Sequence, residues 1–178
     1  MRVHVIAVLA SASLGACACP DTPSSSAPDP AASAIAAPCD QEAHRAFDFW
    51  MGNWEVAIAD GTVAGHNRIE RAHAGCALIE HWRSVRGNSG TSINYYDPSK
   101  GKWVQNWIDA SGSVIQLEGG VREGSMVLEG RYAVPDGSEQ MMRGTWTLLD
   151  DGRVRQFFEV SVDGESWTPW FEGFYRRE

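Results

Sequence analysis

Phe47-Asp48-Phe49-Trp50-Met51-Gly52-Asn53-Trp54-Glu55-Val56 marks the point at which this chain begins to look folded. Before it, residues 20–38 are dominated by Pro, Ser, Ala and Asp, a composition that cannot bury enough apolar surface to offset chain entropy. After it, short runs rich in Val, Ile, Thr and aromatics succeed one another to the end. Gly52-Asn53-Trp54 sets a glycine and a tryptophan at the threshold of the first such run. The same G-x-W spacing recurs at Gly101-Lys102-Trp103 and Gly144-Thr145-Trp146, so the spacing alone carries little and the position carries the reading. Trp54 also admits the plainer account of a large core residue beside a turn.

Turn chemistry punctuates the rest of the chain. Asp60-Gly61, Ala74-Gly75, Gly87-Asn88-Ser89-Gly90, Asp97-Pro98-Ser99-Lys100-Gly101, Ser111-Gly112, Arg122-Glu123-Gly124, Pro135-Asp136-Gly137, Asp150-Asp151-Gly152 and Asp163-Gly164 separate runs that alternate with period two. These turns predict about ten strands, arranged as an all-β antiparallel meander. Closure into a barrel removes the edges that an open sheet of this length exposes. One helix is expected, over Asp40 to Met51, with Asp40 as cap and Phe47, Trp50 and Met51 on a face that plugs one barrel end. The chain thus divides into a leader (1–19), a tether (20–39) and a barrel domain (40–178).

The G-x-W start resembles that of lipocalin-like barrels, in which the first-strand Trp packs across the closed end and an Arg from the last strand stacks over it. Phe174-Tyr175-Arg176-Arg177 supplies such an Arg. More broadly, Phe47–Val56, Ile69-Glu70, Gly75-Cys76, Glu80-His81-Trp82, Asn94-Tyr95-Tyr96-Asp97-Pro98 and Trp103-Val104-Gln105-Asn106-Trp107 resemble a family of small exported bacterial proteins of unknown function with an F-D-F-W-x-G-x-W start. The resemblance covers residues 40–178 and implies a lipocalin-like, calycin-type barrel. Nitrobindin-type barrels are similar in shape and bind haem through a late-strand His. Here no His follows His81, so no haem or other cofactor is expected, His81 being the one position left for it.

The first nineteen residues read as an export leader. Arg2 is followed by the mostly apolar Val3–Leu9 and by small residues, a stretch too short to span a membrane. Leu14-Gly15-Ala16-Cys17 matches a bacterial lipobox, which predicts lipidation on Cys17 and a domain held on the envelope facing the periplasm. A plain secretory cut near Ala16 or Ala18 is the alternative. Loss of residues 1–16 removes Arg2 and no acid, leaving 14 basic against 23 acidic side chains. Such an acidic balance argues against nucleic acid as a partner, because that binding needs a basic stripe. Of the four cysteines, Cys39 and Cys76 lie in or beside the domain and can pair in an oxidising compartment. The alternative is a free buried Cys76, with Cys39 pairing with Cys19 or free.

Alternation also nominates an interior. Glu80 and Trp82 share one strand face, Asn94 and Tyr96 another, and Trp103, Gln105, Trp107 and Asp109 a third. Such aromatic and polar mixtures suit a ligand pocket better than a purely structural core. The opposite parity, Val104, Asn106 and Ile108, is the competing core face. Arg143, Gln156 and Glu159 are further candidates for polar lining, with Arg143 either meeting an acidic ligand or pairing with Glu80. The chain carries no H-E-x-x-H, G-x-S-x-G, C-x-x-C, phosphate loop or dinucleotide turn. Its histidines lack metal-ligand spacing, and nothing in the sequence brings two of Glu80, Asp109 and Glu159 to one substrate. The expected function is binding of a small apolar or aromatic molecule. An envelope interaction or inhibitor lipoprotein with a filled barrel, and a haem-type catalyst, are the alternatives.

Overall fold

The alternating runs form ten antiparallel strands: β1 (Gly52–Ala57), β2 (Val63–Ala72), β3 (Ala77–Ser84), β4 (Ser89–Asp97), β5 (Lys102–Asp109), β6 (Val114–Arg122), β7 (Ser125–Ala133), β8 (Glu139–Leu148), β9 (Val154–Ser161) and β10 (Thr168–Arg177). Each pairs with its sequence neighbour, and β1 pairs with β10, so the meander closes into a lipocalin-like barrel and each of these strands is paired on both sides. This computed structural model describes residues 38–133 and 139–178. The leader, Cys17 and most of the tether lie outside the described residues, as does the turn at Pro135-Asp136-Gly137.

A single α-helix over Asp40 to Met51 does not form. A one-turn helix α1 (Glu42–Arg45) is followed by a 3-10 turn at Asp48–Trp50. Asp40 does not cap it: Gln41 holds the cap position without a side-chain bond, and the Asp40 carboxylate accepts from Arg45 Nη1 at 3.0 Å. The break has a packing reason. Phe47 stacks on Trp50 with ring centroids 4.9 Å apart and meets the edges of Trp103 and Trp146 at 5.5 and 5.3 Å, an arrangement the kink between the two turns permits. The segment is fastened by Trp103 Nε1 donating to the Ala43 carbonyl at 2.9 Å, Trp54 Nε1 donating to the Trp50 carbonyl at 2.9 Å, and an Asp48–Arg71 ion pair.

Cys39 is bonded to Cys76, with Cα atoms 4.9 Å apart. The bridge ties the start of the plug to the β2–β3 connection. Closing a loop of this length is worth on the order of 4 kcal/mol in the chain-entropy account.

Trp54 is fully buried at the plugged end, and the Arg177 guanidinium lies 4.3 Å above its ring. Gly52 makes this possible. Its φ is 140°, and a Cβ there would stand 2.5 Å from the Arg177 Nη1. The glycine of the G-x-W start thus leaves room for the stacked guanidinium. Around this pair, Met126, Leu128, Met142, Trp146 and Val154 complete an apolar core that fills the plugged half of the barrel.

Candidate functional site

Strand direction sets height in the barrel. β3 and β5 run away from the plug, so their inward residues climb from Leu78 to Trp82 and from Trp103 to Asp109. The alternation places Trp103, Gln105 and Trp107 inside, whereas Ile108 is 56% exposed on the outer face. Three zones result: the aromatic plug below, a polar belt at mid-height, and a chamber above it.

The belt is one connected set of buried hydrogen bonds. Gln105 Nε2 donates to Asn94 Oδ1 at 2.8 Å, Asn94 Nδ2 to Ser92 Oγ at 2.8 Å, and Ser92 Oγ to Glu80 Oε2 at 2.6 Å. From the other side Asn67 Nδ2 donates to Glu80 Oε1 at 2.7 Å and contacts the Tyr175 hydroxyl at 3.2 Å. Tyr175 donates in turn to Gln156 Oε1 at 2.6 Å. The set crosses β5, β4, β3, β2, β10 and β9, and every member is less than a tenth exposed. Burial pushes the Glu80 carboxyl above its usual range, against the opposing pull of the bonds from Ser92 and Asn67. Tyr175 is pushed up as well, first by burial and then by the Glu80 charge.

Above the belt lies a cavity of about 210 Å³. Glu80, Gln105, Gln156 and Tyr175 form its floor, and Trp82, Trp107, Ile115, Tyr132, Phe158, Trp170 and Phe171 its walls, with Asn88, Asp109 and Ser113 toward the rim. Glycines make the space. A Cβ at Gly65 would stand 2.7 Å from the Trp82 ring, and one at Gly90 would stand 2.2 Å from the Trp107 ring. Both indoles therefore pack against backbone that carries no side chain at these two positions. At the rim Asp109 is held below the usual carboxylate range: partial burial acts upward, and bonds from Ser111, Ser113 and Asn88 outweigh it.

Of the residues nominated from sequence, Glu80, Trp82, Gln105 and Trp107 meet at this cavity, and Asp109 and Gln156 join them. Five others do not line it. Trp103 belongs to the plug. Tyr96 also sits toward the plug, its ring edge-on to His44 at 5.1 Å. Asn94 is fully buried within the belt, bonded to Gln105 and Ser92 and reaching the cavity only through them. Arg143 is on the outside: Met142, Gly144 and Trp146 take the inward positions of β8, while Arg143 Nη2 bonds Glu159 Oε2 at 2.9 Å and its guanidinium lies 4.1 Å above Trp167. It pairs with Glu159, also outward-facing, and not with Glu80. His81 is on the outer face of β3, its Nε2 3.1 Å from Glu70 Oε1.

Asn67 and Tyr175 are site residues that strand parity alone did not nominate, although each carries a usable signal. Asn67 alternates with Gly65 and Ile69, and Tyr175 with Gly173, all buried or partly buried on one face. Tyr132, Phe158, Trp170 and Phe171 were missed because strands β7, β9 and β10 could not be phased against β3 and β5 before their pairing was known. No protein-family model matches the chain, and no curated protein matches it in sequence.

Proposed function

We propose that this protein is an exported carrier or sensor that holds one small, partly apolar or aromatic molecule in the chamber above the Glu80 belt, without covalent chemistry. The observation that supports this most is the division of the barrel. One half is packed solid with aromatic and aliphatic side chains, while the other keeps about 210 Å³ of space between indole and phenyl walls and a polar floor. Tryptophans laid against Gly65 and Gly90 hold that space open at the expense of packing, and aromatic walls with a few placed polar groups are what small-molecule sites share.

Size narrows the ligand. An apolar cavity of about 150 Å³ takes up benzene, so this one suits a single ring with a short polar tail, roughly ten non-hydrogen atoms. Long acyl chains and haem exceed it. The same reading includes a lipocalin-like kinship, export through residues 1–19, and a lipid anchor on Cys17 facing the periplasm. The acidic balance keeps nucleic acid out of it.

A tryptophan-fluorescence and thermal-shift screen of small aromatic alcohols, amines and acids beside fatty acids, isoprenoids and haem tests the binding. Saturable responses should come from single-ring compounds and weaken at least tenfold in Trp107→Ala, since ring contacts supply most of the apolar burial. A screen with no saturable response would contradict the reading. For the anchor, Cys17→Ser should release the chain from the membrane fraction. Unchanged membrane association would refute it.

A further inference from the structure

We infer that the chamber selects a small organic cation, an amine or ammonium group carried on a short aromatic or aliphatic body. This rests on the reading of the chamber as a ligand site and names the class of ligand.

Charge is the first argument. The residues lining the cavity include two carboxylates, Glu80 and Asp109, and, among the described residues, no Lys, Arg or His. The arginines that carry ion pairs elsewhere in the barrel, such as Arg143 with Glu159 and Arg155 with Glu172, bond carboxylates on the outer face. Glu80 is 4% exposed and, among the described residues, meets no cationic partner. A buried carboxylate in that position is costly unless it takes up a proton or a positive group meets it.

Hydrogen-bond direction is the second. The belt donates toward Glu80 from both sides: Gln105 to Asn94, Asn94 to Ser92 and Ser92 to one carboxylate oxygen, with Asn67 to the other. Every donor in this relay is aligned to support negative charge on Glu80. Each carboxylate oxygen has one such donor, and a carboxylate has about four acceptor positions, so capacity remains for a ligand N–H. Tyr175 sends its proton away, to Gln156.

The walls are the third. Trp82, Trp107 and Phe158 surround the space above Glu80, and aromatic faces attract cations that have been stripped of water. A neutral ring would be satisfied by the walls alone, and an anion would be repelled by Glu80 and Asp109. An ammonium group gains from walls and floor together. The chain's net charge of −8 adds long-range attraction for a cation.

Calorimetric titration of the full chain at pH 7 with phenethylamine, 2-phenylethanol and phenylacetate tests this, because the three share a ring and differ in charge. Phenethylamine should bind about tenfold or more tighter than 2-phenylethanol, with phenylacetate weakest. Glu80→Gln should bring the amine-to-alcohol affinity ratio to about one, and the ratio is the readout because Glu80 is itself part of the chamber floor. Should that variant fail to fold, the ranking of the three probes on the unaltered chain decides. Equal binding of amine and alcohol, or a preference that survives Glu80→Gln, would overturn the inference and leave the ligand site standing. Failure of all three probes to bind would also overturn the inference, and the ligand site falls with it only if the wider screen gives no saturable response.

Discussion

The indole of Trp107 lies directly over Gly90 on the neighbouring strand, so close that a Cβ at residue 90 would stand 2.2 Å from its Cζ2. The contact is between the inner faces of β4 and β5. It fixes the ring against the wall, and the chamber is the space the ring would otherwise occupy.

Gly90→Ala should therefore turn Trp107 into the chamber. Gly90 has no positive φ, so the backbone accepts alanine and the cost is the displaced ring, about 1–3 kcal/mol in denaturant melts. Ligand affinity should fall at least tenfold as the site fills. Gly65→Ala should cost more, because its Cβ would also meet the Arg83 carbonyl at 2.3 Å. Arg143→Ala is the matching control, with ligand affinity unchanged. Full affinity in Gly90→Ala would show that Trp107 does not bound the site.

At the plugged end, Trp54→Ala removes a fully buried indole and should cost about 3–5 kcal/mol. Arg177→Ala removes only the stacked cation and should cost about 0.5–2 kcal/mol. Neither residue touches the chamber, so melting temperature should fall while ligand affinity at a temperature below the transition holds. A Trp54→Ala loss below about 1 kcal/mol would contradict its place in the core.

Glu80 gives a pH dependence whose sign is set by burial. Its carboxyl is raised in the folded state, so between the unfolded value near 4.5 and the higher folded value the native chain holds the extra proton. Its contribution is fully present below the unfolded value and is lost as pH rises through the folded one. Stability of the ligand-free chain should fall across that window, and Glu80→Gln should flatten the fall. A Glu80→Gln profile parallel to that of the unaltered chain, measured by denaturant melts from pH 4 upward, would contradict the assignment.

The architecture was largely legible because period-two alternation and turn residues report strand number and facing directly. Trp103, Gln105 and Trp107 point inward as their spacing implies. Alternation does not report height, however. Trp103 and Trp107 share a face, yet four residues separate them by roughly 13 Å along the strand, enough to put one in the plug and the other in the chamber. Parity also has to be phased strand by strand. Arg143 has the chemistry of a lining residue, but Met142 and Trp146, buried on the opposite parity of β8, set it on the outer face. The belt was the least legible feature, since its seven side chains come from six strands and only closure of β1 on β10 brings Asn67 to Tyr175.

The most direct test follows the indole N–H resonances of the eight tryptophans in a titration with phenethylamine and 2-phenylethanol, each assigned by single Trp→Phe variants. Trp82 and Trp107 line the chamber, whereas Trp54 and Trp103 donate to the Trp50 and Ala43 carbonyls in the plug. The account predicts saturable shifts at Trp82 and Trp107, with Trp54 and Trp103 unmoved. Resonances of Trp82 and Trp107 that stay fixed up to millimolar ligand, or that move no more than those of Trp54 and Trp103, would contradict it.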